Sequence, residues 1–114
     1  MIIEQVSIHM PPGKRQEVGS ALAALINPTE TQLGCLRCRL LQNWHDPDEL
    51  VVEANWEAAE DLNGHLRSDL YKRLLLLMEL CPVAPVLQFC TVQEVRGLDL
   101  VQEARRQSAS TVKS

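Results

Sequence analysis

The chain carries no basic stripe. Eleven Lys and Arg stand against fifteen Asp and Glu, leaving a formal net charge of −4. Nucleic-acid binders usually display a basic patch or face. Only Arg37 with Arg39, and Arg105 with Arg106, approach one, so no nucleic-acid partner is expected. A membrane span is missing too. The strongest apolar run, Leu74-Leu75-Leu76-Leu77-Met78, falls far short of the roughly 20 residues a spanning helix needs. Met1-Ile2-Ile3 is followed by Glu4, not by the basic region and apolar run of a signal peptide. A cytoplasmic location follows as an expectation. There is no Gly-rich phosphate loop and no nucleophile elbow. Three histidines, dispersed and without carboxylates at ligand spacing, predict no metal site. A length of 114 residues leaves no room for a second core.

What the chain does contain is ordinary for one folded domain, 46% hydrophobic and 23% charged. Four cysteines are present. Cys35 and Cys38 form a C-x-x-C inside a stretch that reads as a strand. Residues three apart on a regular strand point to opposite faces, which disfavours a local disulfide or a shared zinc. Reduced, mostly buried thiols are expected of a chain in a reducing compartment.

Hydrophobic periodicity sets the element order. Residues 2–10 alternate as a strand, with Ile2, Val6, Ile8 and Met10 on one face and Glu4 as the exception. Residues 14–26 read as a helix on Val18, Leu22, Leu25 and Ile26, closed by Asn27-Pro28. A strand over 35–44, a turn at Asp46-Pro47-Asp48-Glu49 and a strand over 50–56 predict an antiparallel hairpin. Residues 57–66 read as a helix with Leu62, His65 and Leu66 on one face. Ser68-Asp69 offers a fresh N-cap, and 70–80 continue as a strongly apolar, deeply buried helix. A long fourth strand is predicted over 85–96, then a short helix over 99–106 with Leu100, Val101 and Ala104 inward. A frayed tail is expected from Gln107.

The order β-α-β-β-α-β is the split βαβ pattern: an α+β, ferredoxin-like protomer whose antiparallel sheet carries its helices on one face. The other sheet face needs water or a partner, and a homodimer packing sheet against sheet is expected. The domain should span 1–97, with 98–114 forming the short C-terminal helix and tail.

The stretch Val51 to Leu66 carries the most chemistry. A strand ends at Trp56, turns at once into a helix, and that helix sets His65 on its apolar side. Histidine moves protons near neutral pH. Tryptophan can wall an apolar pocket with one N–H left to donate. Tyr71 follows six residues after His65, and Val52 shares the Trp56 face of its strand. His9 is expected on the dimer face and His45 in the exposed turn. Arg37 and Arg39 should serve an interface more than an anion site.

Gly34-Cys35 opening the second strand, Asp46-Pro47 in the hairpin, Glu53-x-x-Trp56, and His65-Leu66-x-Ser68 followed by Tyr71 together resemble the antibiotic biosynthesis monooxygenase (ABM) domain family of the dimeric α+β barrels. The resemblance spans roughly residues 1–97. It implies a dimeric α+β barrel with a small cavity between sheet and helices. Some members oxygenate polycyclic phenols without metal or flavin; others degrade haem, oxidise quinols or isomerise small phosphorylated sugars. The chain departs from two patterns. The Trp56 face carries Val52 where cofactor-free oxygenases tend to place asparagine, and residues 2–10 lack the first-strand asparagine of haem-degrading relatives. The resemblance therefore implies a monooxygenase acting on a small aromatic or quinol-type substrate with no cofactor. His65 would be its base and Trp56 its second catalytic residue, with Tyr71, Val52 and Leu62 lining the substrate pocket. The alternatives are a non-catalytic dimeric module binding a hydrophobic ligand, or a small-molecule isomerase on the same fold.

Overall fold

The structure, a computed structural model, describes residues 1–110; residues 111–114 of the expected tail lie outside the described residues. The elements run β1 (Ile2–His9), α1 (Arg15–Glu30), β2 (Cys35–Asn43), β3 (Asp46–Trp56), α2 (Ala59–Leu66), α3 (Asp69–Glu79), β4 (Val86–Thr91) and α4 (Leu98–Ser110). The strands form one antiparallel sheet in the order β2-β3-β1-β4. This is the α+β ferredoxin-like arrangement that the element order predicts.

Period-two alternation selects the inner face. Val6 and Ile8 on β1, and Leu50, Val52, Ala54 and Trp56 on β3, are buried. Val18 and Leu22 of α1, Leu62 of α2, and Tyr71, Leu74 and Met78 of α3 close over them as one core. Each such Val, Leu, Ile or Met side chain contributes roughly 1.5–3 kcal/mol through burial. Truncating the fully buried Leu22 to alanine should cost about 2–5 kcal/mol.

Several boundaries differ from the sequence reading. Helix α1 continues past Asn27 to Glu30 with Pro28 inside it. Proline removes one backbone donor. The last turn holds because Thr29 Oγ1 donates to the Leu25 carbonyl at 2.7 Å and Thr31 N–H reaches Asn27 O at 3.3 Å. The hairpin turn is Trp44-His45, not Asp46–Glu49. Asn43 Oδ1 accepts from His45 N at 2.9 Å, so a short side chain folds the turn and frees Asp46-Pro47 to start β3. Helix α3 is buried on one side only; Leu75, Leu76 and Leu80 around it are 44%, 53% and 60% exposed. Strand β4 stops at Thr91, well short of residue 96. Thr91 pairs with Ile2, where β1 begins, so the ladder runs out of partner. Helix α4 is longer than expected and runs to Ser110, past Gln107 where fraying is expected to begin. Leu100 and Val101 stay about half exposed, and Ala104 is exposed, not inward.

The cysteine geometry needs the largest correction. A register shift between Cys35 and Arg37 makes Leu36 a bulge. Cys35 then pairs with Trp56 and Cys38 with Ala54, both inward positions, so the two cysteines share the core side. A bulge inserts one residue and resets the alternation. All four cysteines are free; Cys90, on β4, is exposed.

Part of the outer sheet face is a polar lattice. Glu53, in the Glu-x-x-Trp motif, points there. It accepts from Gln5 Nε2 at 2.8 Å and from Arg39 at 2.8 and 3.0 Å. These bonds, Gln5 first, hold its carboxyl below the usual range. His9 pairs with Asp46 at 2.7 Å on the same face.

Candidate functional site

Trp56 is the last inward residue of β3 and is fully buried. Its indole N–H donates to Glu4 Oε1 at 3.0 Å. A two-residue bend, Glu57-Ala58, leads into α2, whose buried side carries Leu62 and His65 three residues apart. The His65 ring stacks on Trp56 with centroids 4.6 Å apart and planes 27° apart. Ser68 then ties the two helices. Its hydroxyl caps α3 by accepting from Tyr71 N at 3.1 Å and donates to His65 O at 2.6 Å. Tyr71 thereby meets the imidazole edge-on at 5.1 Å.

Both imidazole nitrogens have neighbours. Nδ1 lies 2.5 Å from Gln32 Oε1, and Nε2 lies 3.5 Å from Glu4 Oε1. Gln32 is delivered by the turn before β2. Gly34 has φ +80°, a left-handed conformation that glycine adopts at little cost. Its carbonyl accepts from Glu57 N at 2.8 Å, and a Cβ there would overlap the Asp61 side chain. The turn can lie against α2 only because residue 34 has no side chain.

Burial governs the electrostatics. His65 is held down to about 4, a neutral imidazole. Glu4 is pushed up by burial, partly countered by the Trp56 hydrogen bond. Tyr71 is raised to about 12 by burial and by the nearby Glu4 charge. The 3.5 Å approach of Glu4 and His65 invites an ion pair. Desolvation of both groups favours the uncharged form, a carboxylic acid beside an imidazole.

A cavity of about 20 Å³ lies between sheet and helices, lined by Glu4, Thr29, Val52, Ala54, His65 and Tyr71 among others. It has room for about one water molecule. The Tyr71 hydroxyl is buried without a partner. On its other side His65 borders a surface pocket of about 270 Å³ with Gln32, Leu33, Glu60 and Asp61. The larger clefts, such as one of about 330 Å³ between α1 and β2, lie away from these groups and hold no comparable cluster. Among the described residues no group of three or more His, Cys, Asp or Glu could hold a metal.

The structure brings Trp56, His65 and Tyr71 together and sets Val52 on the cavity wall. Leu62 and Trp56 are buried in the core but do not line the cavity. Two members of the cluster escaped the sequence reading. Glu4 had a signal, since a carboxylate at an inward strand position must find a partner. Gln32, on a polar loop, had none.

The chain is thus an α+β, ferredoxin-like domain with a strand-end tryptophan stacked on a helix histidine. A match to the antibiotic biosynthesis monooxygenase family covers residues 1–75, and the chain belongs to that family. Solved structures agree in fold. A proposed antibiotic biosynthesis monooxygenase of Deinococcus radiodurans superposes with a TM-score of 0.77 at 14% identity, over 85% of this chain and 97% of that one. A conserved protein of Methanosarcina mazei Go1 gives 0.74 at 25% identity, over 82% and 94%. The Mycobacterium tuberculosis protein Rv0793 gives 0.76 at 20%, over 84% and 98%. No curated protein sequence matches the chain.

Proposed function

We propose that this protein is a cofactor-independent monooxygenase acting on a small phenol or quinol. The observation that carries the reading is the uncharged His65 imidazole, stacked on Trp56 beside a buried cavity. A neutral imidazole accepts a hydroxyl proton. The resulting phenolate is electron-rich enough to react with dioxygen directly. For a simple phenol, one oxygen atom enters the ring to give a quinone. The other leaves as water with the two hydrogens lost from the O–H and the ring C–H, so no external reductant is needed. Trp56 backs the His65 ring by stacking on it, and Tyr71 and Val52 line the cavity. An aromatic ring is larger than the cavity of about 20 Å³. Substrate binding must therefore move α3 away from the sheet, with the α2–α3 joint at Arg67-Ser68 as the natural hinge.

The working unit in this reading is a homodimer. Exposed Val86 and Leu41 and half-buried Ile3 and Val51 lie on the outer sheet face, and α4 keeps Leu98, Leu100 and Val101 in solvent. A second copy would cover such apolar surface.

Oxygen uptake with a panel of hydroquinones and naphthols, with no added flavin or metal, tests the activity. Uptake that depends on His65 supports it, and no uptake with any of them overturns it. A non-catalytic ligand-binding module is the second reading. It is favoured by the occupation of both His65 nitrogens by protein groups.

A further inference from the structure

We propose that Glu4 is a further catalytic residue, forming with His65 a pair that shares one proton at the cavity wall. The inference rests on the monooxygenase reading for its chemistry, but the pair itself can be examined without any substrate.

The tautomer follows from the neighbours. Gln32 Oε1 can only accept, so at 2.5 Å the His65 Nδ1 carries the hydrogen. In a neutral ring Nε2 is then the lone-pair nitrogen, and it faces Glu4 Oε1 at 3.5 Å. Two acceptors do not attract. A proton on the Glu4 carboxyl resolves the contact, and burial favours that protonation. Trp56 Nε1–H donates to the same Oε1, which fixes the carboxyl between indole and imidazole. The side chains of His65 and Glu4 are 5% and 1% exposed, so bulk water does not compete for this proton. Other ionisable groups around the pair are Tyr71 from α3, Cys35 and Cys38 from β2 and Glu30 from α1. None is a cation, so apart from His65 only the Trp56 N–H bond favours an ionised Glu4, and burial outweighs it.

Glu4, His65 and Tyr71 line one cavity, and the Tyr71 hydroxyl has no partner there. A substrate hydroxyl bound between them would give its proton to the second carboxyl oxygen of Glu4 while the shared proton passes to His65 Nε2. The O–H bond breaks, the electron pair stays on the substrate oxygen, and the pair passes from neutral to a single positive charge beside the phenolate. After oxygen transfer that proton leaves with the oxygen atom released as water. The positive charge sits on the imidazolium, and the phenolate formed beside it offsets the cost of burying that charge.

The experiment is a pH titration by NMR of the intact protein without substrate, following His65 ring nitrogens and the Glu4 side-chain carboxyl carbon. In the wild type the two groups should titrate as one coupled system, each reporting both steps. In Glu4→Gln the carboxamide N–H donates to Nε2 and offers no shared proton. The His65 midpoint should fall at least tenfold in proton affinity. Independent titrations in the wild type, with Glu4 at an ordinary carboxylate value, overturn the proposal. So does an unchanged His65 midpoint in Glu4→Gln. Should Glu4→Gln not fold, the wild-type titration decides alone. On an accepted hydroquinone, Glu4→Gln should lower kcat at least 10²-fold with KM within a few-fold, and Glu4→Asp should restore part of it. Wild-type kcat retained by Glu4→Gln would overturn the proposal. If no phenol or quinol is turned over, the monooxygenase reading falls, while the titrations still decide whether the pair exists.

Discussion

Trp56 and Glu4 are diagonal neighbours on adjacent strands: Glu4 pairs with Ala54 and Ile2 with Trp56, yet the indole N–H reaches back to the Glu4 carboxyl at 3.0 Å. Large side chains bridge such diagonals. This bond links positions 52 apart in sequence and satisfies a carboxyl group in the core. Trp56→Phe keeps the apolar ring and deletes the donor. It should cost about 1–3 kcal/mol, the usual effect of leaving a buried acceptor unpaired. It should also raise the Glu4 carboxyl further, because this hydrogen bond holds it down against burial. Urea unfolding checks the first, and the Glu4 carboxyl carbon signal checks the second. A variant as stable as wild type would show that the bond contributes nothing.

Gly34 should be intolerant of any side chain. Its φ of +80° is unfavourable for other residues, and a Cβ would run into Asp61. Gly34→Ala should lose more than about 1 kcal/mol, since strain and overlap add. The double variant Gly34→Ala with Asp61→Gly removes the overlap and keeps the strain, so it should recover part of the loss. No recovery in thermal melts would place the whole cost in the backbone.

His65→Ala should lower turnover by about 10²–10⁴-fold on an accepted phenol or quinol, the range for a positioned general base. The fold should persist, because Trp56, Tyr71 and the surrounding apolar residues still fill the core. Far-ultraviolet circular dichroism controls for folding. Near-wild-type turnover in the folded variant would remove His65 from the mechanism.

Much of this molecule was written in periodicity. Alternation at Val6, Ile8, Val52, Ala54 and Trp56, and helical spacing at Val18 and Leu22, define sheet and helices whatever the details of the loops. Elements ended where nonlocal partners decide. β4 stops because β1 has no residue left to pair, and α1 outlasts Pro28 because a threonine hydroxyl supports its last turn. The bulge at Leu36 belongs to the β2–β3 ladder and reverses what the C-x-x-C spacing suggests. At the site, Trp56 and His65 were legible because one strand-to-helix turn carries both. Glu4 and Gln32 come from other parts of the chain, and only the closed sheet brings them to the ring.

Light scattering should give a mass near twice the 12.8 kDa chain. A stable homodimer would bury at least roughly 2,000 Å² in total. Replacing exposed Val86 and Leu41 with lysine should weaken the dimer if the outer sheet face forms it. A monomer at micromolar concentration would rule the assembly out.

Stability between pH 4 and 7 should carry the opposing signatures of His65 and Glu4. The unfolded imidazole takes its proton near 6.5, the folded one only near 4. Across that window the unfolded state binds more protons, so stability due to His65 is full above 6.5 and lost as pH falls toward 4. The amount is roughly 3 kcal/mol at most. Glu4 works the other way. Its folded value is raised above 4.5, so the folded state holds the extra proton. Its contribution is present below 4.5 and lost as pH rises through the folded value. The two slopes oppose each other where they overlap, so the wild type should vary less there than either single variant. Glu4→Gln removes one of them, so its stability should climb steeply from pH 4 to 6.5. His65→Gln should do the reverse and weaken as pH rises past 4.5. Urea midpoints of the three proteins at half-unit pH intervals measure this. Parallel curves would mean that neither group changes its proton affinity on folding.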